Sequence, residues 1–369
     1  MKMKWVAVLT GVVLMASASA WAAPSTYLVR VDTKNNIDRT AVSRVGLAIE
    51  GVDLTDGSVT VRATDKQIQE IGELGFDVTP EPDFALDFPA GMENYHDHAE
   101  LVAALADVVA AYPSILAGFS AGTTTEGRQI PGVKISDNPG ADETEEGAIL
   151  IAALYHSREP VSLEVALDFI MYLASNYGVD AYVTYLVDNR EIYVIPMVNP
   201  DGYVYDVEND LDYWRKNRRD NPNTNCEGVD LNRNYSVDFG GGGASSNPCS
   251  ETYHGPSALS EPETQAMAAF FDAHENVTTA LNIHSYGRLI LYPWGNTATP
   301  IADATDLATH QAIGAAFADL TGYDDMQSYG LYQTSGDAVD WQYGVLGLTA
   351  FTLELTDGFG FYPPTGFFR

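Results

Sequence analysis

The chain has 369 residues, of which 46% are apolar. That is enough for one large domain beside a small one, and too apolar for a mostly disordered chain. A formal charge of −32 excludes a nucleic-acid partner, because counterion-driven binding needs a basic surface. The same acidity suits an exported protein in salty surroundings or with bound Ca2+, and it steers cationic peptides inward; solubility alone is the plainer reading.

The first residues read as an address. Lys2 and Lys4 precede an apolar run from Trp5 to Met15, and Ala18-Ser19-Ala20 and Ala20-Trp21-Ala22 offer small-residue cleavage sites. The run is too short for a permanent membrane helix and contains no cysteine. Residues 1–22 therefore predict a signal peptide, a secreted or periplasmic product and no stable membrane anchor.

Beyond it, Tyr27–Val31 and Ser58–Val61 read as short strands and Asp65–Leu74 as a helix. The acidic, Pro-rich stretch Thr79-Pro80-Glu81-Pro82-Asp83 reads as a linker. Residues 23–88 then form a small α+β unit, expected to be an inhibitory or folding-assisting propeptide. A permanently attached accessory domain is the alternative.

From Tyr95 the pattern changes to apolar runs interleaved with helical segments. Helices are predicted at His98–Ala111, Val161–Tyr177, Glu261–His274 and Asp303–Thr321. Buried strands are predicted at Ala148–Tyr155, Glu191–Val198, Thr279–Ile283 and Leu348–Leu355. Strands too apolar to alternate imply a sheet covered on both faces. His156, Asn199, His284 and Glu354 fall at or near the ends of these strands, where open α/β sheets hold their ligands.

Two cysteines occur, Cys226 and Cys249. In an exported chain the simplest reading is a disulfide, closing a loop of about 23 residues and contributing ~3 kcal/mol on the loop-entropy model. Metal ligation is the alternative. Gly240–Gly243 reads as a flexible surface loop, since no Lys-Ser/Thr follows to make it a phosphate cradle.

Four segments carry the chemistry: His156-Ser157-Arg158-Glu159, Gly228-Val229-Asp230-Leu231-Asn232-Arg233-Asn234, Ile283-His284-Ser285-Tyr286 and Phe351-Thr352-Leu353-Glu354-Leu355. A short spacer between His156 and Glu159 followed by a distant third ligand, His284, is the usual layout of a catalytic zinc site with one position left to water. Pro160 disfavours right-handed helical geometry at Glu159. Glu354 is expected to be the base beside that water. The remaining histidines read as structural or surface residues, and Lys216, Arg218 and Arg219 as a solvated face.

With Asn199-Pro200-Asp201-Gly202, Tyr213-Trp214-Arg215-Lys216-Asn217-Arg218, Cys249-Ser250-Glu251-Thr252-Tyr253-His254-Gly255 and Tyr332-Gln333-Thr334-Ser335-Gly336 added in one order, the chain from Tyr95 onward resembles the zinc carboxypeptidases of the carboxypeptidase A family, in their bacterial secreted, broad-specificity form. The resemblance implies a three-layer α/β/α catalytic domain with a mixed central sheet over residues 89–369, and pairing of Cys226 with Cys249. It implies a monomer holding one Zn2+ and acting on peptide or protein C-termini. His156, Glu159 and His284 match the metal ligands and Glu354 the general base. Arg215 matches the donor to the developing oxyanion, and Asp230 the carboxylate that orients His156. Asn232 and Arg233 match the clamp for a terminal carboxylate, Tyr332 the tyrosine that closes over it, and Arg158 and Tyr286 the lining of subsites upstream of the scissile bond.

Val339 falls where branches of the family select for apolar or basic side chains, and Asp337 is an acid where both of those branches often have glycine. A mixed pocket is expected, shaped also by Leu291, Gly295, Thr334 and Thr352. The family continues past the Glu354 strand into a long closing helix, whereas this chain stops at Phe361–Arg369, so a shortened C-terminus is expected. Peptidases of cell-wall or γ-glutamyl peptides and a non-catalytic peptide-binding module are the rival readings.

Overall fold

The structure is a computed structural model that describes residues 26–53, 56–80, 95–209, 213–356 and 361. The expected signal peptide (1–22), the end of the Pro-rich linker (81–83) and residues 362–369 lie outside the described residues.

The N-terminal unit runs β1 (Thr26–Val31), α1 (Asn36–Ser43), β2 (Ile49–Val52), β3 (Val59–Thr64), α2 (Asp65–Glu73) and β4 (Val78–Pro80). Its strands pair antiparallel in the order β2-β3-β1-β4. Period-2 alternation turns Val59, Val61 and Ala63 inward on β3, where they meet Val29 and Val31 of β1 and Val42 and Ile71 of the helices. A capping box of Thr64 and Gln67 starts α2. The reading of the sequence passed over α1 and β2. Strand β2 is four residues long, and a register shift between Ile49 and Gly51 leaves Glu50 as the extra residue of a bulge.

The larger part carries α3 (His98–Ala111), β5 (Leu116–Thr123), β6 (Gln129–Ile135), β7 (Ala148–Ala153), α4 (Pro160–Asn176), α5 (Ala181–Val187), β8 (Glu191–Ile195) and α6 (Pro200–Glu208). It continues with α7 (Pro262–Ala273), β9 (Val277–Ser285), β10 (Leu289–Tyr292), α8 (Ala304–Thr321), β11 (Asp324–Gln327), α9 (Ala338–Gly344) and β12 (Thr349–Leu355). The eight strands form one mixed sheet in the order β11-β10-β12-β9-β7-β8-β6-β5. Its centre, β12-β9-β7-β8, is parallel throughout; β10 and β6 flank that centre antiparallel.

Both faces are covered. Ile151 and Ala153 of β7 pack with Leu101 of α3, Leu163 and Leu167 of α4 and Val183 of α5. The alternate residues Leu150 and Ala152 pack with Met267 and Phe270 of α7 and Trp341 of α9. This two-sided burial is why these strands read as continuous apolar runs. The edge strand β5 and its neighbour β6 escaped the reading; β5 alternates toward solvent and carries two glycines.

Between α6 and α7 the chain is mostly loop, tied by the Cys226–Cys249 disulfide with Cα atoms 5.0 Å apart. Here the expected solvated basic face is corrected. Lys216 is buried and donates to the Pro248 carbonyl at 2.8 Å. Arg218 stacks over Tyr205, 3.6 Å from the ring centroid, and Arg219 pairs with buried Glu261 at 2.9 Å. A cationic run hides burial of this kind, because the aliphatic stems and planar guanidinium groups pack as well as they solvate.

Candidate metal centre

Strand β7 hands the chain to a tight loop in which Leu154 takes a positive φ of 52°. The Ser162 hydroxyl accepts from Leu154 N at 3.1 Å and donates to the Glu159 carbonyl at 2.7 Å, closing the loop on itself. Glu159 stands just before α4 at φ −109°, ψ 47°, outside the helical region, with Pro160 opening the helix. Asn199 braces the same loop: its Nδ2 donates to the carbonyls of Tyr155 and Lys216, and its Oδ1 accepts from Gly202 N. The Asn199-Pro200-Asp201-Gly202 segment thus supports the site without entering it.

His156, Glu159 and His284 converge. His156 Nδ1 lies 2.7 Å from Glu159 Oε1, His284 Nδ1 lies 2.9 Å from Glu159 Oε2, and the two Nδ1 atoms face one another at 3.2 Å. A tetrahedral ion with bonds of about 2.1 Å holds neighbouring ligand atoms roughly 3.4 Å apart, so this donor set fits one. The three are buried and, among the described residues, form the one group of their kind close enough to share an ion. No second group gathers there for Ca2+.

Around the three ligands the charges interlock. Asp230 Oδ1 meets His156 Nε2 at 3.1 Å, while its Oδ2 accepts from Arg215 Nε at 3.0 Å and Nη2 at 2.9 Å. Burial opposes ionisation of Asp230, yet Arg215 and His156 hold it well below the usual carboxylate range. Arg215 Nη1 reaches to 3.3 Å from His156 Nδ1. Glu354 lies beside His284 in the parallel β12–β9 register. Burial pushes its carboxyl up to about 7, against the opposing pull of His284.

Arg233 is held by its Nε to the Gly243 carbonyl at 3.0 Å, and it lines the cleft with Tyr332. Part of the glycine run expected to be a flexible surface loop is packed instead: a Cβ at Gly243 would strike the Gln333 carbonyl oxygen. Asn232 lines the cleft, and its Oδ1 accepts from Ala338 N at the start of α9.

Asp337 and Val339 line the same cleft with Leu291, Thr334 and Thr352. Asp337 caps α9 by accepting from Asp340 N at 3.0 Å, and it takes a short bond from the Thr334 hydroxyl. Gly295 lies behind that pair, leaving room for the Thr334 hydroxyl and Asp337 Oδ2.

Arg158 stands apart from the other expected residues. It is buried beside Tyr286 and Phe361, and its Nη1 lies 3.3 Å from Glu50 and 3.2 Å from Glu251.

The sequence reading missed what lies over the cleft. Ile49, Glu50, Gly51 and Val52 of β2 line it together with His156 and Glu159. Gly51 lies so close to the Tyr286 ring that a Cβ would come within 2.3 Å of it. Helix α1 reaches the loop carrying Tyr332: Arg39 donates to the carbonyls of Gly330 and Leu331, Asn36 donates to that of Tyr329, and Thr40 Oγ1 accepts from Gln333 N. The one available signal was a charged residue, Glu50, inside the apolar run Ala48–Val52.

Fold and site together define a class: a three-layer α/β protein with a histidine–glutamate–histidine group that could hold a metal ion and a carboxylate at the C-terminal edge of its parallel strands. Comparison with known proteins makes the class specific. The family profile described as zinc carboxypeptidase matches residues 101–369. Rat (Rattus norvegicus) carboxypeptidase A1 is 36% identical over 269 residues, 71% of this chain and 62% of its own length. A zinc carboxypeptidase of Saccharothrix mutabilis subsp. capreolus is 32% identical over 378 residues, 94% of this chain and 86% of its own. The carboxypeptidase A structure from Helicoverpa armigera shares the fold at a TM-score of 0.80, with 24% identity and 92% of each chain covered. The chain belongs to the zinc carboxypeptidase family. It spans less than two thirds of the rat enzyme's length, and no helix among the described residues is long and apolar enough to cross a membrane.

Proposed function

We propose that this protein is an exported, zinc-dependent carboxypeptidase that hydrolyses the last peptide bond of peptides and releases single amino acids. One observation carries the reading: His156 and Glu159, grouped with His284, line a cleft that Glu354, Arg215 and Arg233 also line. Those three ligands would hold one Zn2+, which when bound acidifies a water and polarises a carbonyl.

Glu354 takes the proton of the attacking water and returns it to the leaving amine. Arg215, braced by Asp230, donates to the oxygen that gains charge. Arg233 and Asn232 take the free α-carboxylate, a planar guanidinium matching two oxygens at once. Tyr332, which lines the cleft beside Arg233, closes the carboxylate side.

Substrate choice is assigned to Val339, Leu291 and Thr352 for apolar side chains, with Asp337 admitting Lys or Arg. Asp337→Asn keeps an oxygen for the α9 cap and removes the charge. Charge-assisted bonds are worth roughly 1.5–3 kcal/mol, so kcat/KM for a C-terminal Arg should fall at least about tenfold. The value for Leu should stay within about threefold, since that side chain makes no use of the charge. A variant that keeps the wild-type Arg-to-Leu ratio removes Asp337 from the pocket's selectivity.

The N-terminal unit is read as a propeptide that blocks this cleft through β2. A cover favoured by only about 1.4 kcal/mol already hides nine tenths of the sites. Cutting the chain within residues 79–94 should therefore raise activity at least about tenfold over the intact chain; equal activities would leave the unit an accessory domain.

The reading itself is tested by mass spectrometry of a peptide mixture with free-acid and amidated C-termini, incubated with the cut protein. Loss of one terminal residue from free acids alone is expected. Shortening of amidated peptides, or none at all with zinc bound, would overturn it.

A further inference from the structure

The two histidines of the metal-binding group are supported differently. His156 is braced through Nε2 by the Asp230 carboxylate. His284 has no such brace: its Nε2 is buried and meets no hydrogen-bond partner among the described residues. What touches the imidazole face is the ring of Tyr155, 5.4 Å away between centroids and within 18° of parallel.

Tyr155 cannot drift. It is wholly buried, and its hydroxyl donates to Asn282 Oδ1 at 3.0 Å. Asn282 and Gln342 form a reciprocal amide pair, Nδ2 to Oε1 at 2.7 Å and Nε2 to Oδ1 at 3.0 Å. Asn282 Nδ2 also donates to the Phe351 carbonyl on β12 at 3.1 Å. Asn282 precedes His284 by two residues on β9, and Gln342 sits on α9, whose start carries Asp337 and Val339. The group ties two strands, β9 and β12, and the pocket helix to one aromatic plate.

We infer that Tyr155, fixed by the Asn282–Gln342 pair, is a positioning residue that holds the His284 imidazole by stacking in place of a hydrogen-bonded acceptor. The torsion about an imidazole's Cβ–Cγ bond is intrinsically broad, so a ligand ring without outer support samples unproductive orientations. Support around a metal ligand typically changes metal affinity 10- to 100-fold. A clamped ring under one face supplies that restraint without taking up Nε2. The inference rests on the reading of His284 as a ligand.

The test uses the full chain and two readouts: Zn2+ affinity by chelator competition, and the visible absorption of Co2+ bound in place of zinc. Tyr155→Leu should weaken Zn2+ binding about tenfold or more and shift the Co2+ bands. Tyr155→Phe keeps the stacked ring but loses its tie to Asn282, so it should weaken binding clearly less than Tyr155→Leu, by an amount similar to Gln342→Leu. Gln342→Leu, which loosens the plate from a distance, should move both readouts the same way by a smaller amount.

Unchanged affinity and spectrum in Tyr155→Leu would overturn the inference, as would unchanged values in Gln342→Leu if the first variant does not fold. Tyr155→Phe binding as weakly as Tyr155→Leu would also overturn it, by assigning the effect to the hydroxyl. His284→Ala sets the scale: a loss there with none in Tyr155→Leu sinks positioning alone, whereas no loss in His284→Ala sinks the ligand reading itself.

Discussion

Glu354→Gln should abolish measurable turnover while the protein still binds Zn2+ and folds. Glutamine matches glutamate in size and keeps β12 paired to β9 and β10. Glu354 lies outside the group of three that would hold the ion. Only its capacity to take a proton is lost, and a positioned base typically contributes 10²–10⁴-fold. The sign of the pH dependence follows from the same residue. The base works ionised, so kcat/KM falls as pH drops through its pKa. Burial places that pKa near 7, and a bound cation beside it moves the midpoint lower. An acid limb above the ordinary glutamate range is thus expected in the wild type. Peptide turnover alongside metal content by mass spectrometry decides the matter, and a variant within tenfold of wild type would remove Glu354 as the base.

Arg215→Lys should lower kcat about 10²–10³-fold with KM within a few-fold, because the lost contact forms only as charge develops on the substrate oxygen. Arginine can serve Asp230 through Nε and Nη2 while presenting Nη1 to the cleft. A compact ammonium has no second arm for the second task. Lysine is the informative replacement because it still neutralises Asp230. A neutral side chain would strand that buried carboxylate at a cost of about 3–5 kcal/mol and confuse folding with catalysis. Separate measurement of kcat and KM at full zinc occupancy tests this, and a kcat within tenfold of wild type would sink the oxyanion role.

How much of this was legible depended on how local the determinants are. The parallel strands announced themselves because burial on both faces makes each an unbroken apolar run. Their ends mark the positions of His156, His284 and Glu354 in the sequence alone. Pro160 foretold the non-helical backbone at Glu159. The N-terminal cover was harder to see. Strand β2 is four residues long with its key side chain, Glu50, on a bulge, and no periodicity survives that. Lys216 read as solvated because burial of a cation is decided by distant partners, here the Pro248 carbonyl beside the disulfide. Tyr155 looked like any aromatic ending a core strand; only the fold brings His284 face to face with it.

The way α1 meets the loop of Tyr332 has an evolutionary consequence. Arg39 and Asn36 address carbonyl oxygens of residues 329–331, and Thr40 addresses an amide of residue 333. Every amino acid but proline offers both groups. Those bonds survive a change of side chain along the stretch, whereas the Arg44–Gln333 bond and the packing of Leu331 and Tyr332 with Val52 do not. If the N-terminal unit is the propeptide proposed above, its backbone-directed bonds let substrate preference drift with only part of the latch at stake.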